Sequence, residues 1–284
     1  LKSETEVDWL LNYRGGSFMI KFHPAIQNEL VVRGVTSEVI SDAQANQILN
    51  EIASPANNYD VMKLEKCPRV AVYTPKSAQP WDDAVTLVLT YAEIPYDMVF
   101  DDEVLAGQLP KYDWLHLHHE DFTGQYGKFY SSFANIGWYI EQQKEAEELA
   151  QKHGFHKVSL LKLAVAKKIK EFVAGGGFMF AMCSATDSFD IALAAEGVDI
   201  CERMFDGDGS DPDAQEKIDF EKTLAFTDFK LVRDPYEYEF SSIDNPPRER
   251  GLRQDNDYFT LFEFSAKWDP IPTMLTQNHT KVIK

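Results

Sequence analysis

Two periods of apolar spacing alternate along this chain, and the strand-like one comes first. Val7 to Tyr13 (Val-Asp-Trp-Leu-Leu-Asn-Tyr) reads as a strand that ends in an Arg14-Gly15-Gly16 turn. Pro24 to Arg33 is expected to be helical and Val35 to Ile40 to form a second strand. Ser41-Asp42 is placed to cap a helix that runs through Ala53. The loop Ser54-Pro55-Ala56-Asn57-Asn58 is then the best boundary, dividing the chain into residues 1–58 and 59–284.

Beyond that boundary the two patterns take turns. Arg69 to Tyr73, Tyr96 to Phe100 and Trp114 to Leu117 are strand-like, and Thr74-Pro75-Lys76 forms an exit loop. Gln79 to Ala92 carries Trp81, Val85, Val88, Leu89 and Ala92 at helical spacing. Phe129 to Lys152 reads as one long helix, aromatic in its first half and charged in its second. Ser159 to Ala174 places Leu161, Val165, Ile169 and Val173 four residues apart. Pro235 to Ile243 and Tyr258 to Phe264 read as later strands. The alternation predicts an α/β fold, a doubly wound, mostly parallel sheet preceded by an N-terminal α/β segment. In such sheets ligands bind outside the carboxyl ends of the strands.

One segment directs attention to that edge. Gly175-Gly176-Gly177 leads into the apolar run Phe178-Met179-Phe180-Ala181-Met182, then Cys183, then Ser184-Ala185-Thr186-Asp187. The run suits a strand covered on both faces. Ser184 or Thr186 can cap the helix that follows, Asp187 and Asp190 suit its positive end, and Gly197 can stop it. Cys183 would then lie beside a helix N-terminus, a setting that favours the reactive thiolate. A small buried residue in a tight turn would leave the same trace.

A second constellation belongs to the same edge. His116, His118, His119, Glu120 and Asp121 crowd the end of the Trp114 strand. An imidazole there can take a thiol proton and a carboxylate can orient it. The same residues also suit zinc, iron or manganese, and a polar loop of satisfied histidines is the plain alternative. Neighbouring strand residues point to opposite faces, so His118 and His119 share a site only if the loop turns sharply.

Composition narrows the function further. Formal charge is −18, from 46 acidic and 28 basic side chains, which disfavours nucleic acid and anionic membranes as partners. No apolar run is long enough to span a bilayer. The three cysteines Cys67, Cys183 and Cys201 make neither a metal pair nor a disulfide framework. Asp206 to Asp213 is acidic, but Lys217 stands where a calcium loop starting at Asp206 needs its glutamate, so a solvated turn is expected. Arg14-Gly15-Gly16 and Gly124-Gln125-Tyr126-Gly127-Lys128 are too irregular for a phosphate loop, and no cofactor is expected.

With strand, cysteine, helix and histidine-rich edge assembled, the chain resembles the class I glutamine amidotransferase-like superfamily over Arg69 to Gly197, and within it the trehalose-utilisation (ThuA-like) branch. Over nearly its whole length it resembles a Bacteroidetes family often labelled asparagine synthetase B. The segments that carry this are Trp9-Leu10-Leu11-Asn12-Tyr13-Arg14-Gly15-Gly16-Ser17-Phe18, His116 to Gly124 and the Cys183 region. The resemblance implies a flavodoxin-like domain, residues 59–284, cut short at its end, after an N-terminal segment cut short at its start. It implies Cys183 as nucleophile, His118 or His119 as base, Glu120 as orienting carboxylate, a small polar amide or sugar as substrate, and an exported protein. Ala181 and Ala185 stand where the family's elbow has glycines, and His279 is followed by Lys281 where the family has His-x-Glu. Those departures leave a non-catalytic binding or assembly component, with a protein partner at the Phe129 to Tyr139 aromatic stretch, as the alternative to a hydrolase. A metal-dependent enzyme using His116 to Asp121 is the third reading.

Overall fold

A computed structural model describes residues 5–64, 67–75, 84–243, 259–261, 275–277 and 282. The chain divides into two compact units, Leu1–Cys67 with Phe259–Thr276, and Pro68–Tyr258 with Gln277–Lys284.

In the first unit β1 (Val7–Leu11) pairs antiparallel with β2 (Ser17–Ile20) on one side and β3 (Asp60–Leu64) on the other. The β1–β2 reversal needs left-handed backbone at Asn12, Arg14, Gly15 and Gly16, and the Gly16 N–H returns to the Tyr13 carbonyl. Helix α1 (Pro24–Val32) begins at its proline, and α2 (Asp42–Ala53) is closed by a Ser41–Gln44 capping box. Ile48, Leu49 and Ile52 of α2 pack with Leu10 and Tyr13.

Two expectations are corrected here. Val35 to Ile40 is not a strand: both edges of β1 are occupied, by β2 and β3, and residues 35–39 are solvent-exposed. The unit also ends later than Asn58, because Asp60–Leu64 pairs with β1 at five positions.

The second unit contains β4 (Val70–Tyr73), β5 (Tyr96–Val99), β6 (Trp114–Leu117) and β7 (Phe178–Ala181), all parallel, in the order β5-β4-β6-β7. Counted within the unit, that is 2-1-3-4, compatible with a flavodoxin-like sheet. Ala71, Tyr73, Leu115 and Leu117 line one face and join Val104 of α4 (Asp101–Leu105), Val165 and Ile169 of α7 (Val158–Ala174), and Phe189 and Leu193 of α8 (Ser184–Ala194) in the main core. The described part of the Gln79 to Ala92 helix is α3 (Ala84–Tyr91).

Three further expectations change in this unit. Strand β7 is not covered on both faces, since Phe178 is 55% and Phe180 45% exposed. The predicted long helix is two helices, α5 (Tyr130–Phe133) and α6 (Gly137–Lys152), because Ile136 is extended at φ −92° and ψ 136°. Pro235 to Ile243 forms turns and one isolated bridge, Leu231 to Ser241, rather than a strand. Phe259–Leu261 (β8) pairs with Leu275–Gln277 (β9), while Tyr258, residues 262–264, His279 and Lys281 lie outside the described residues.

Candidate functional site

The backbone of Cys183 is the most unusual feature of the sheet edge. It has φ 54° and ψ −143°, and it is the N-cap of α8 and exposed. A side-chain-bearing residue in that region costs on the order of 1–3 kcal/mol and persists only where its surroundings enforce it. A strained strand-to-helix turn is the geometry by which α/β enzymes lift a nucleophile above the sheet. Neither Ala181 nor Ala185 has positive φ, so neither needs to be glycine.

The surroundings that enforce the turn can be named. Met182 N–H donates to the Leu117 carbonyl (3.1 Å), extending the β6–β7 ladder up to the turn. On the other side α8 is buried along most of its length, with only Ser184 and Thr186 in its first turn partly open. Phe189, Ala192 and Leu193 face the main core, while Ile191, Ala194 and Ala195 face a second core with Phe226 and Phe229.

The polar residues of α8 do other work than expected. Ser184 does not cap the helix; its hydroxyl donates to the His119 carbonyl at 2.7 Å. Ser188 donates to the Glu120 carbonyl (3.1 Å) and accepts from Phe122 N–H (3.3 Å). Asp190 sits beyond the first turn and accepts three backbone N–H groups, from Leu224, Ala225 and Phe226, at 2.7–2.9 Å. Burial raises its carboxyl pKa above the usual range despite those three bonds.

The loop leaving β6 is thereby fastened to α8. It does turn sharply: the His118 and His119 rings meet at 4.5 Å between centroids, with their Nδ1 atoms 3.0 Å apart. One of those nitrogens must carry a hydrogen and the other must not. Glu120 is buried, and its Oε2 accepts from the His118 backbone N–H at 3.1 Å. Asp121 shapes the next turn, accepting from Thr123 N and Oγ1 at 2.6 Å and from Gly127 N at 3.1 Å. Gly124 touches α7 so closely that a Cβ would lie 2.7 Å from Ser159 N. His116 points elsewhere, stacked on Phe180 at 5.2 Å.

The structure therefore brings the backbone of His119 and Glu120 against the first turns of α8. Among the described residues, the Cys183 thiol has no hydrogen-bonding partner, and neither imidazole bonds to it. Catalytic contacts are often long before substrate binds.

Sequence reasoning missed a buried ionic group at the same edge. Tyr73 ends β4, Asp101 starts α4, and Lys162 lies on α7. The Lys162 ammonium donates to Asp101 Oδ2 (2.8 Å), Asp101 Oδ1 (3.1 Å) and the Tyr73 hydroxyl (3.0 Å), and that hydroxyl donates to Asp101. Burial, then the Asp101 charge, push the Tyr73 phenol well above its usual pKa. One signal was available, a lysine beside Leu161 on an otherwise apolar helix face. Lys128 was missed as well. It is buried at φ 58°, donates to the carbonyls of Val232 and Asp234 at 2.8 Å each, and has its pKa lowered to about 8 by burial.

The acidic turn is solvated over most of its length, with Gly207, Asp208, Gly209, Pro212 and Asp213 exposed, and its carboxylates also hold a lysine. Asp199, Asp206 and Asp208 surround the Lys157 ammonium at 2.5, 3.0 and 2.5 Å. Asp199, Cys201 and Asp206 are the one metal-spaced trio among the described residues. Lys157 already supplies a cation to Asp199 and Asp206, and burial pushes the Cys201 thiol well above its usual pKa. A cavity of about 360 Å³ lies beside it, lined by Phe122, Thr123, Lys157, Ala192 and Asp199 among others; Cys183, His118, His119 and Glu120 do not line it.

No protein-family model, curated protein or solved structure matches the chain.

Proposed function

We propose that this chain is an amidotransferase-like α/β hydrolase in which Cys183 attacks the carbonyl carbon of a small polar metabolite, an amide or an acylated sugar. The observation that carries this reading is the strained Cys183 backbone, φ 54° and ψ −143°, at the junction of β7 and α8. Strain of that kind is kept where function needs it.

In this mechanism the Cys183 thiolate adds to the carbonyl carbon. The first N–H groups of α8, which a helix leaves without internal partners, face the developing oxyanion. His118 or His119 takes the thiol proton and returns it to the leaving nitrogen or oxygen, with Glu120 holding the loop that carries them through the His118 backbone N–H. Water then cleaves the thioester, releasing the acid and restoring the thiol.

Intact-mass spectrometry after exposure to small activated amides and esters tests the reading. The wild-type chain is expected to gain one acyl group on Cys183 and Cys183→Ala none. An acyl group on Cys67, or on no residue, removes the nucleophile assignment. A non-catalytic role in the same fold is the second reading, and the missing imidazole partner of the Cys183 thiol among the described residues favours it.

A further inference from the structure

The break between α5 and α6 produces a surface unrelated to the Cys183 edge. Phe129 and Phe133 from α5 and its approach, and Trp138 from α6, contact one another at 5.0–6.3 Å between ring centroids. Tyr238 adds to this group through Phe129 (5.8 Å), and Tyr236 joins Tyr130 at 6.0 Å. The rings are not spent on the core. Trp138 is 42% exposed, Tyr238 52% and Tyr236 67%, with Ile136 and Ile140 exposed alongside.

Among the described residues, the charge interleaved with these rings is acidic. Asp234, Glu237 and Glu239 interleave with the two tyrosines, and Glu141 follows Ile140 on α6. Glu237 and Glu239 flank Tyr238, whose ring lies 5.8 Å from that of Phe129. Among the described residues, two neighbouring cations are committed elsewhere. Lys128 is buried against the carbonyls of Val232 and Asp234, and the Arg233 guanidinium binds Ser210 and the Asp211 carbonyl.

We propose that this aromatic and carboxylate surface docks an arginine-bearing segment of a protein partner. Exposed ring faces attract a cation through their quadrupole, and the flat guanidinium both stacks on a ring and bonds a carboxylate with two parallel N–H groups. Aromatic residues are also the ones enriched where protein partners meet. The overall charge of −18 adds long-range attraction for a basic partner, and the rings supply the selectivity that net charge cannot.

The test is fluorescence anisotropy of the full chain with a labelled twelve-residue peptide that alternates arginine and serine, beside its lysine and glutamate counterparts. The arginine peptide is expected to bind tightest and the glutamate peptide not at all. Trp138→Ala and Tyr238→Ala are each expected to weaken the arginine peptide about tenfold and to abolish its advantage over lysine. Tyr236→Ala gives the same reading in a variant that leaves the core untouched. Glu148→Gln, an acid ten residues along α6 from Trp138, is expected to change affinity less than twofold. The proposal is overturned if the aromatic variants bind like wild type, since attraction would then come from net charge alone. It is equally overturned if the patch takes a neutral oligosaccharide, with loss of that binding in the same variants.

Discussion

The Ser184 hydroxyl donates to the His119 carbonyl oxygen at 2.7 Å, so the first residue of α8 holds the loop that carries the paired histidines. Ser188, one turn on, holds the same loop at Glu120 and Phe122. Removing either hydroxyl leaves loop groups without their partners at a cost of about 1–3 kcal/mol for the buried Ser188 and less for Ser184. Ser188→Ala is therefore expected to lower unfolding stability more than Ser184→Ala, and both to speed amide exchange in residues 118–123. Unchanged exchange in that loop would show that the two serines do not fix it.

Cys183 gives the opposite sign. Its positive φ is a burden that glycine does not share. Cys183→Gly is expected to stabilise the chain by about 1 kcal/mol in urea unfolding while eliminating acylation. A variant that is both less stable and fully acylated elsewhere would contradict the strained-nucleophile account.

Asp101 and Lys162 form a pair that tolerates loss of both members better than loss of one. Lys162→Met strands a carboxylate that is 1% exposed and is expected to cost about 3–5 kcal/mol. Adding Asp101→Asn should restore part of that loss, because no buried charge remains. A double-mutant cycle in urea reads the coupling directly; additive losses would mean the pair is not an energetic unit.

Lys128 makes a pH prediction. Its folded pKa is about 8, below the ordinary lysine value, so between those two values the unfolded chain binds the extra proton. Stability contributed by this group therefore rises with pH from about 8 to about 10 and is flat below. The stability difference between wild type and Lys128→Met should shift in favour of wild type by about 1–3 kcal/mol from pH 7 to pH 10. An equal difference at both values would place the ammonium in contact with water.

The strands of the parallel sheet were legible because each is a short apolar run, and Trp114–Leu117 matches its predicted bounds. The α5–α6 break was signalled by Asn135-Ile136-Gly137 but masked by the regular spacing of Phe129, Phe133, Ile136 and Ile140. The His118–His119 contact was not legible, since it depends on a loop bent by Glu120 and Asp121 bonding to backbone. Nor was the Tyr73, Asp101 and Lys162 group, whose members come from a strand end and two helices and meet only through the topology. Asp190 was read from its nearness to a helix start, and its partners 34 to 36 residues away carry no local sign.

Helix α8 has no solvent side beyond its first turn, because two separately packed cores close on it. It behaves as a beam built into both walls, and it cannot roll or slide without loosening both. The loop after β6 is joined to this beam through two serine hydroxyls. The turn at Cys183 is thus set by a fixed helix, and the paired histidines are held to that helix by two hydroxyls.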